Sequence, residues 1–280
     1  MSLITRFNTD ATLTPVESER KRAEARSGRT TKAAEHLEEM ETLYPEQIAA
    51  SIAATEVYRE SGRRDFTSIK RRYKCDTGVV FEKTDSVSAI LGCSAKTDGK
   101  IAVLNFANFL EPGGGYIYGA MAQEEALCAE STLYNVISEM TDYYEENQDA
   151  VRALGELYSN RALYSPGIIF KRGDEVMSVD VISCAAPNAT AYLSAGGSQK
   201  VNAKTLLERM DFILSIAAEQ QVDTLILGAF GCGVFGQNAV TVGGFYKHLL
   251  ETTYKDVFKT VVFAVMDDPN LNALRDGFTR

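Results

Sequence analysis

Glu124 and Glu125 are neighbouring carboxylates that follow three consecutive glycines, Gly113-Gly114-Gly115, with seven residues between Gly115 and Gln123. Carboxylates can hold and deliver a proton, and glycines without a β carbon let backbone adopt positive φ and approach a ligand closely. A helical pattern starts near Gln123, with Leu127, Leu133, Tyr134, Ile137 and Met140 supplying the apolar stripe. Both acids then fall in a first turn, beside backbone N–H groups that have no partner within the helix. Taken singly, each feature fits a strand-to-helix turn whose acids complement the helix dipole. Their combination marks a candidate active site.

A second glycine segment, Gly231-Cys232-Gly233-Val234-Phe235-Gly236, spells G-x-G-x-x-G between a strand pattern and a helix pattern. That spelling raises a dinucleotide-binding Rossmann unit. The sequence stops soon after the next strand, which ends at Asp267, and that acid lies further on than the one that usually holds the ribose. The physical content outlasts the motif: glycines ahead of a helix offer backbone amides to a phosphate without Lys or Arg. Cys232 reads as a small packed residue, with no base nearby to activate it.

Composition narrows the chemistry further. The formal charge of −9 argues against a general nucleic-acid binder. The basic runs Arg20-Lys21-Arg22 and Lys70-Arg71-Arg72 read as solvated faces. Only His36 and His248 are present, which leaves little for a Ser-His-Asp triad or a histidine metal site. Five cysteines, Cys75, Cys93, Cys128, Cys184 and Cys232, form no Cys-x-x-Cys pair and fit reduced thiols. No stretch is long and apolar enough to span a bilayer, and Met1 to Asp10 lacks a secretory core, so a cytoplasmic protein without membrane contact is expected.

The elements that must position these residues alternate. Residues 1–75 read as a charged, helical N-terminal extension with no strand before Val79-Val80-Phe81, and residues 76–280 as the catalytic domain. Strands are expected near 79–83, 101–106, 168–172, 177–184, 223–228 and 258–266. Helices are expected near 86–95, across 123–158, and at 200–220 and 239–252. Alternation of this kind means a layered α/β domain. Ile101 to Phe106 and Thr224 to Gly228 are continuous apolar runs, as central strands are, and each ends in a glycine loop. Both loops should open on the carboxyl edge of the sheet, where α/β proteins place ligands.

With both loops in view, the chain resembles the bacterial-type poly(ADP-ribose) glycohydrolases, whose signature is Gly-Gly-Gly, a short spacer and Gln-Glu-Glu. Asn105-Phe106-Ala107-Asn108, Ser183-Cys184-Ala185-Ala186-Pro187-Asn188 and Gly228 to Gly236, similar to the macrodomain diphosphate loop, reinforce the likeness from about residue 75 onward. The resemblance implies a three-layer macrodomain-like fold, a mixed sheet flanked by helices. It implies a metal-independent glycosidase without a cofactor, acting on poly(ADP-ribose) or an ADP-ribosylated protein and releasing ADP-ribose. It implies Glu125 as catalytic acid/base, with Glu124 and Asn108 bonded to the terminal ribose. Gly113, Gly114, Gly115 and Gln123 would line the substrate, Phe235 would pack near the diphosphate and distal ribose, and the amides of Gly231, Cys232, Gly233, Val234, Phe235 and Gly236 would hold the phosphates.

Glycosidases usually set one carboxyl on each side of the scissile bond, which consecutive residues of one helix cannot do. Glu125, partly desolvated and raised in pKa by Glu124, is therefore expected both to protonate the departing oxygen and to activate water. Two other readings stay open. A non-catalytic ADP-ribose reader would need the second loop but not Gln123-Glu124-Glu125, and a macrodomain hydrolase could remove ADP-ribose from another acceptor. Tyr116 and Tyr118, in the spacer, could cover the ligand or simply pack.

Overall fold

The computed structural model describes residues 15–60, 71–94 and 99–280; Lys70 and Met1 to Asp10 lie outside them. In these residues the chain forms α1 (Pro15–Leu43), α2 (Pro45–Ala54), β1 (Glu56–Arg59), β2 (Gly78–Glu82), α3 (Ser86–Ser94) and β3 (Ile101–Phe106). It continues through α4 (Gln123–Cys128), α5 (Leu133–Ile137), α6 (Thr141–Leu154), β4 (Arg161–Arg172), β5 (Glu175–Cys184), α7 (Ala189–Ser194) and α8 (Gln199–Glu219). It closes with β6 (Thr224–Leu227), α9 (Ala239–Glu251), β7 (Thr260–Ala264) and α10 (Asp268–Thr279).

Among the described residues seven strands make one mixed sheet in the order β1-β4-β5-β3-β6-β7-β2. From β5 to β2 neighbouring strands run parallel, while β4 and β1 are antiparallel at the other edge. β3 explains the layering: Ala102 and Leu104 point into one core, with Leu206, Met210, Ile213, Val242, Tyr246 and Leu274 from α8, α9 and α10. Ile101 and Val103 point into the other, with Ala33, Ile48, Ile90, Leu127 and Val136 from α1 to α5. A strand buried on both faces has to be a continuous apolar run. The result is the three-layer, macrodomain-like α/β architecture that the sequence implied.

Four elements depart from the expected pattern. β1, a four-residue edge strand between Glu56 and Arg59, pairs with the start of β4 and draws the segment before residue 75 into the sheet. β4 starts at Arg161 rather than near 168, because Pro166-Gly167 does not end it: the register shifts between Ser165 and Ile168 and the strand resumes. α7 follows Asn188, whose side chain accepts from the Ala191 amide. α10 follows Asp267, which accepts from the Asn270 amide at 2.9 Å, so this acid is a helix cap and not a ribose ligand. Of the basic run at 70–72, Arg72 is not simply solvated, since it donates to Asp223 and to the Val222 carbonyl, both at 2.6 Å.

Candidate active site

β3 and β6 are adjacent and parallel, so the glycine loops that follow them open on the same carboxyl edge. α4, only six residues long, is pinned to the end of β3 by its own first side chains. Gln123 accepts from the Phe106 amide through Oε1 at 2.8 Å and donates through Nε2 to the Leu104 carbonyl at 2.9 Å and to Ser86 Oγ at 3.1 Å. These contacts turn the Gln123 amide into the frame. Glu124 accepts from Asn105 Nδ2 at 3.1 Å and from the Asn108 amide at 2.7 Å, and Asn105 also donates to Ser183 Oγ of β5 at 3.0 Å. The Gly113 amide adds to the support of the same carboxylate.

The two acids differ sharply in environment. Glu124 is 3% exposed. Burial pushes its carboxyl up to about 8, against the opposing pull of the donors from Asn108 and Asn105. The deeper burial of the two thus falls on the first acid, whereas the sequence led only to a partly desolvated second one. Glu125 is half-buried; its Oε1 accepts from the Gly115 amide at 2.9 Å, and its Oε2 is buried with no hydrogen-bond partner. Above both lies Gly114 at φ +56°, where an added β carbon would stand 2.8 Å from Glu125 Oε1 and 3.1 Å from Glu124 Oε2. Only glycine fits that position without moving a carboxylate. Asn108 directs its Oδ1 to the amides of Leu110 at 2.8 Å and Glu111 at 3.1 Å, so this half of its side chain shapes the loop.

The spacer has two faces. Tyr116 is buried, with its hydroxyl 2.9 Å from His36 Nδ1 of α1, and so packs. Tyr118 is 61% exposed. Its carbonyl accepts from Arg26 Nε at 2.8 Å, and the Gly119 carbonyl accepts from Arg29 Nε at 2.7 Å, so α1 clamps the spacer from outside the sheet.

In the second loop the Cys232 amide bonds the Ala229 carbonyl and the Gly236 amide bonds the Gly233 carbonyl, both at 3.0 Å, which removes these two from the expected set of phosphate donors. Among the described residues the amides of Gly231, Gly233, Val234 and Phe235 have no acceptor within the protein. A β carbon on Gly233 would meet no atom within 4 Å, and Val234 is 84% exposed. Burial pushes the Cys232 thiol up to about 12, which fits a packed and inert residue. The half-buried Phe235 ring lies 6.2 Å from that of Tyr158, which stacks on Phe109 at 4.5 Å. Among the described residues no three His, Cys, Asp or Glu side chains gather as a metal site, and no helix is long and apolar enough to cross a membrane.

Sequence reasoning named no separate role for Asn105, Ser183 or Tyr158. Asn105 carried a signal, a polar residue inside an apolar strand that is fully buried in the structure. Ser183 and Tyr158 carried none, because their roles come from contacts across the fold.

Fold and site together are those of a macrodomain-like protein with two adjacent carboxylates at the end of β3 and an amide-lined second loop. The family model for the microbial-type PARG catalytic domain matches residues 23–173, more than half of the chain. This chain belongs to that family, the microbial-type poly(ADP-ribose) glycohydrolases. It is similar to the poly(ADP-ribose) glycohydrolase from Thermomonospora curvata, with TM-score 0.81 and 27% identity over 90% of this chain and 100% of that one. The same enzyme bound to the inhibitor ADP-HPD gives TM-score 0.79 and 27% identity over 89% and 98%. The glycohydrolase from Deinococcus radiodurans in complex with ADP-ribose gives TM-score 0.74 and 30% identity over 83% and 97%. Comparison with curated proteins gave no match.

Proposed function

We propose that this protein hydrolyses the ribose–ribose O-glycosidic bonds of poly(ADP-ribose) and releases ADP-ribose, with Glu125 as the acid/base. Family membership makes it a glycosidase, and one observation carries the residue assignment. Glu125 Oε2 is a buried carboxylate oxygen without a partner, and its other oxygen accepts from the Gly115 amide of the glycine loop. Glu125 protonates the departing ribose oxygen as the anomeric carbon gains oxocarbenium character. The resulting carboxylate then takes a proton from water as the water attacks that carbon. Glu124, held by Asn105 and the Asn108 amide and raised by burial above the usual carboxylate range, bonds the terminal ribose, joined by Asn108 Nδ2. The free amides of Gly231, Gly233, Val234 and Phe235 take the diphosphate. The ADP-ribose in the Deinococcus complex supports this choice of ligand.

Replacing Glu125 with Gln keeps the shape and removes the proton. Turnover of defined poly(ADP-ribose) should fall by about 10² to 10⁴ with ADP-ribose affinity retained. A parallel loss of binding would refute the role. Unsubstituted protein that binds ADP-ribose but releases none from the polymer would instead be a non-catalytic reader. Activity should survive exhaustive chelation, since the proposed steps use carboxyl groups and backbone amides and, among the described residues, no three His, Cys, Asp or Glu side chains gather; loss restored by one divalent ion would overturn the metal-independent reading. The free cysteines suit the cytoplasm, to be checked by locating the protein in its cell. Within residues 1–75, α1 serves as a brace for the catalytic domain at 76–280, through its clamp on the spacer.

A further inference from the structure

Arg209, on α8, has no exposed surface. Its guanidinium donates from Nε to Asn160 Oδ1 at 2.6 Å, from Nη2 to the carbonyls of Tyr158 at 3.1 Å and Leu157 at 3.3 Å, and from Nη1 to the Ala185 carbonyl. Among the described residues no carboxylate forms an ion pair with it. A buried cation is costly, and here its direct partners are neutral dipoles, with the Glu60 carboxylate acting only from beyond ion-pair distance. A planar fork of five donors can hold several carbonyls at once, which a lysine ammonium cannot do in the same geometry.

What those carbonyls hold explains the arrangement. Tyr158 sits at φ +57°, a left-handed backbone that is uncommon for an aromatic residue and that the guanidinium fixes from beneath. Its ring is thereby laid parallel to Phe109, 4.5 Å away and 6° from coplanar, directly after Asn108 of the first loop. On its other side is Phe235 of the second loop, at 6.2 Å and 59°. The Ala185 arm reaches the same place. The next residues, Ala186 and Pro187, back the second loop: an added β carbon on Gly231 would lie 2.8 Å from Ala186 Cβ, and the Pro187 carbonyl accepts from Gln237 Nε2 at 2.8 Å.

We infer that Arg209 is a positioning residue for ADP-ribose, which fixes the Tyr158 ring as the spacer between the two ligand loops. The inference rests on the ligand reading above and adds to it a residue outside both glycine loops. Glu124 and Glu125 are held by Asn105, Asn108 and Gly115, none of which bonds Arg209. Arg209 should therefore govern binding more than the chemical step.

Calorimetric titration of ADP-ribose into the unsubstituted protein, Arg209→Lys, Tyr158→Asn and the double variant tests this. Asparagine tolerates the left-handed backbone, so Tyr158→Asn removes the ring and leaves the carbonyl clamp. Each single variant should weaken binding about tenfold or more, with turnover at saturating polymer within about threefold of the unsubstituted protein. The double variant should weaken it by far less than the product of the two, because both act through one ring. Unchanged affinity in Arg209→Lys, or fully additive losses, would overturn the inference. If Arg209→Lys does not fold, Tyr158→Asn decides alone, and unchanged affinity there overturns it too. An unsubstituted protein that does not bind ADP-ribose would sink the functional reading first, and this inference with it.

Discussion

In the first glycine loop Gly114 lies over two carboxylates, with less than 3.2 Å to each from where a β carbon would stand, whereas in the second Gly233 faces open space. The first loop is closed in on several sides: α4 is tied to β3, Gly115 donates to Glu125, and α1 holds the carbonyls of Tyr118 and Gly119. The second loop takes its shape from its own turn bonds and from Thr190, which donates from Oγ1 to the Val234 carbonyl at 3.1 Å. Chemistry needs a carboxyl oxygen in one place, while a diphosphate needs amides and room. The same residue type thus serves opposite ends, filling no space in one loop and leaving space in the other.

The sharpest way to break this contrast is Gly114→Ala. A β carbon there collides with Glu125 Oε1 in a backbone of positive φ, so turnover on poly(ADP-ribose) should drop by about 10² or more; a fully active variant would show that the crowding has no function. Gly233→Val should do the reverse. Its side chain has space in the free protein, so the melting temperature should hold, while ADP-ribose binding by calorimetry weakens about ten- to a hundredfold.

The buried acid gives a smaller, continuous effect. Burial pushes Glu124 from the ordinary carboxylate value of 4.5 up to about 8, so the folded protein holds its proton more tightly than the unfolded chain does. That contribution is complete below about pH 4.5 and is lost as the pH rises towards 8, at a slope on the order of 1 kcal/mol per pH unit. Urea unfolding at pH 5 and pH 7.5 should show the decline in the unsubstituted protein and less of it in Glu124→Gln; equal slopes would contradict it. The smallest effect concerns the clamp. Arg29→Met removes one bond to the Gly119 carbonyl and should lower turnover by less than about fivefold, with ADP-ribose affinity unchanged. A larger loss would make α1 part of the catalytic frame.

How far the sequence alone could reach follows the same division. Both glycine loops, β3 and the acids were legible because residue type dictates them: three glycines, two carboxylates and an uninterrupted apolar run have few other uses. Gln123 was legible only by position, since its amide turns to Leu104 and Ser86. β1 was hidden because four residues flanked by charge carry no periodicity, and its pairing with β4 is a long-range event. Pro166-Gly167 imitated a strand end that the bulge overrides. Which of two adjacent acids would be buried depends on Asn105 and Ser183, brought together by the pairing of β3 with β5. α10 could have been found, since Asp267 before Asp268-Pro269 is a helix-start signal read instead against a dinucleotide motif.

The stretch from Gly228 to Gln237 contains no charged side chain, in a chain of net charge −9. Attraction by backbone dipoles acts only at contact, whereas a lysine patch reaches out over about a Debye length and weakens as ions are added. Affinity for ADP-ribose should accordingly change little with ionic strength. The steep salt dependence of proteins that gather phosphates with cations comes from displaced counter-ions, and this cradle has few to displace. Added nucleic acid should for the same reason compete only weakly with ADP-ribose in a titration, since a loop without cations offers a lone phosphate little beyond contact.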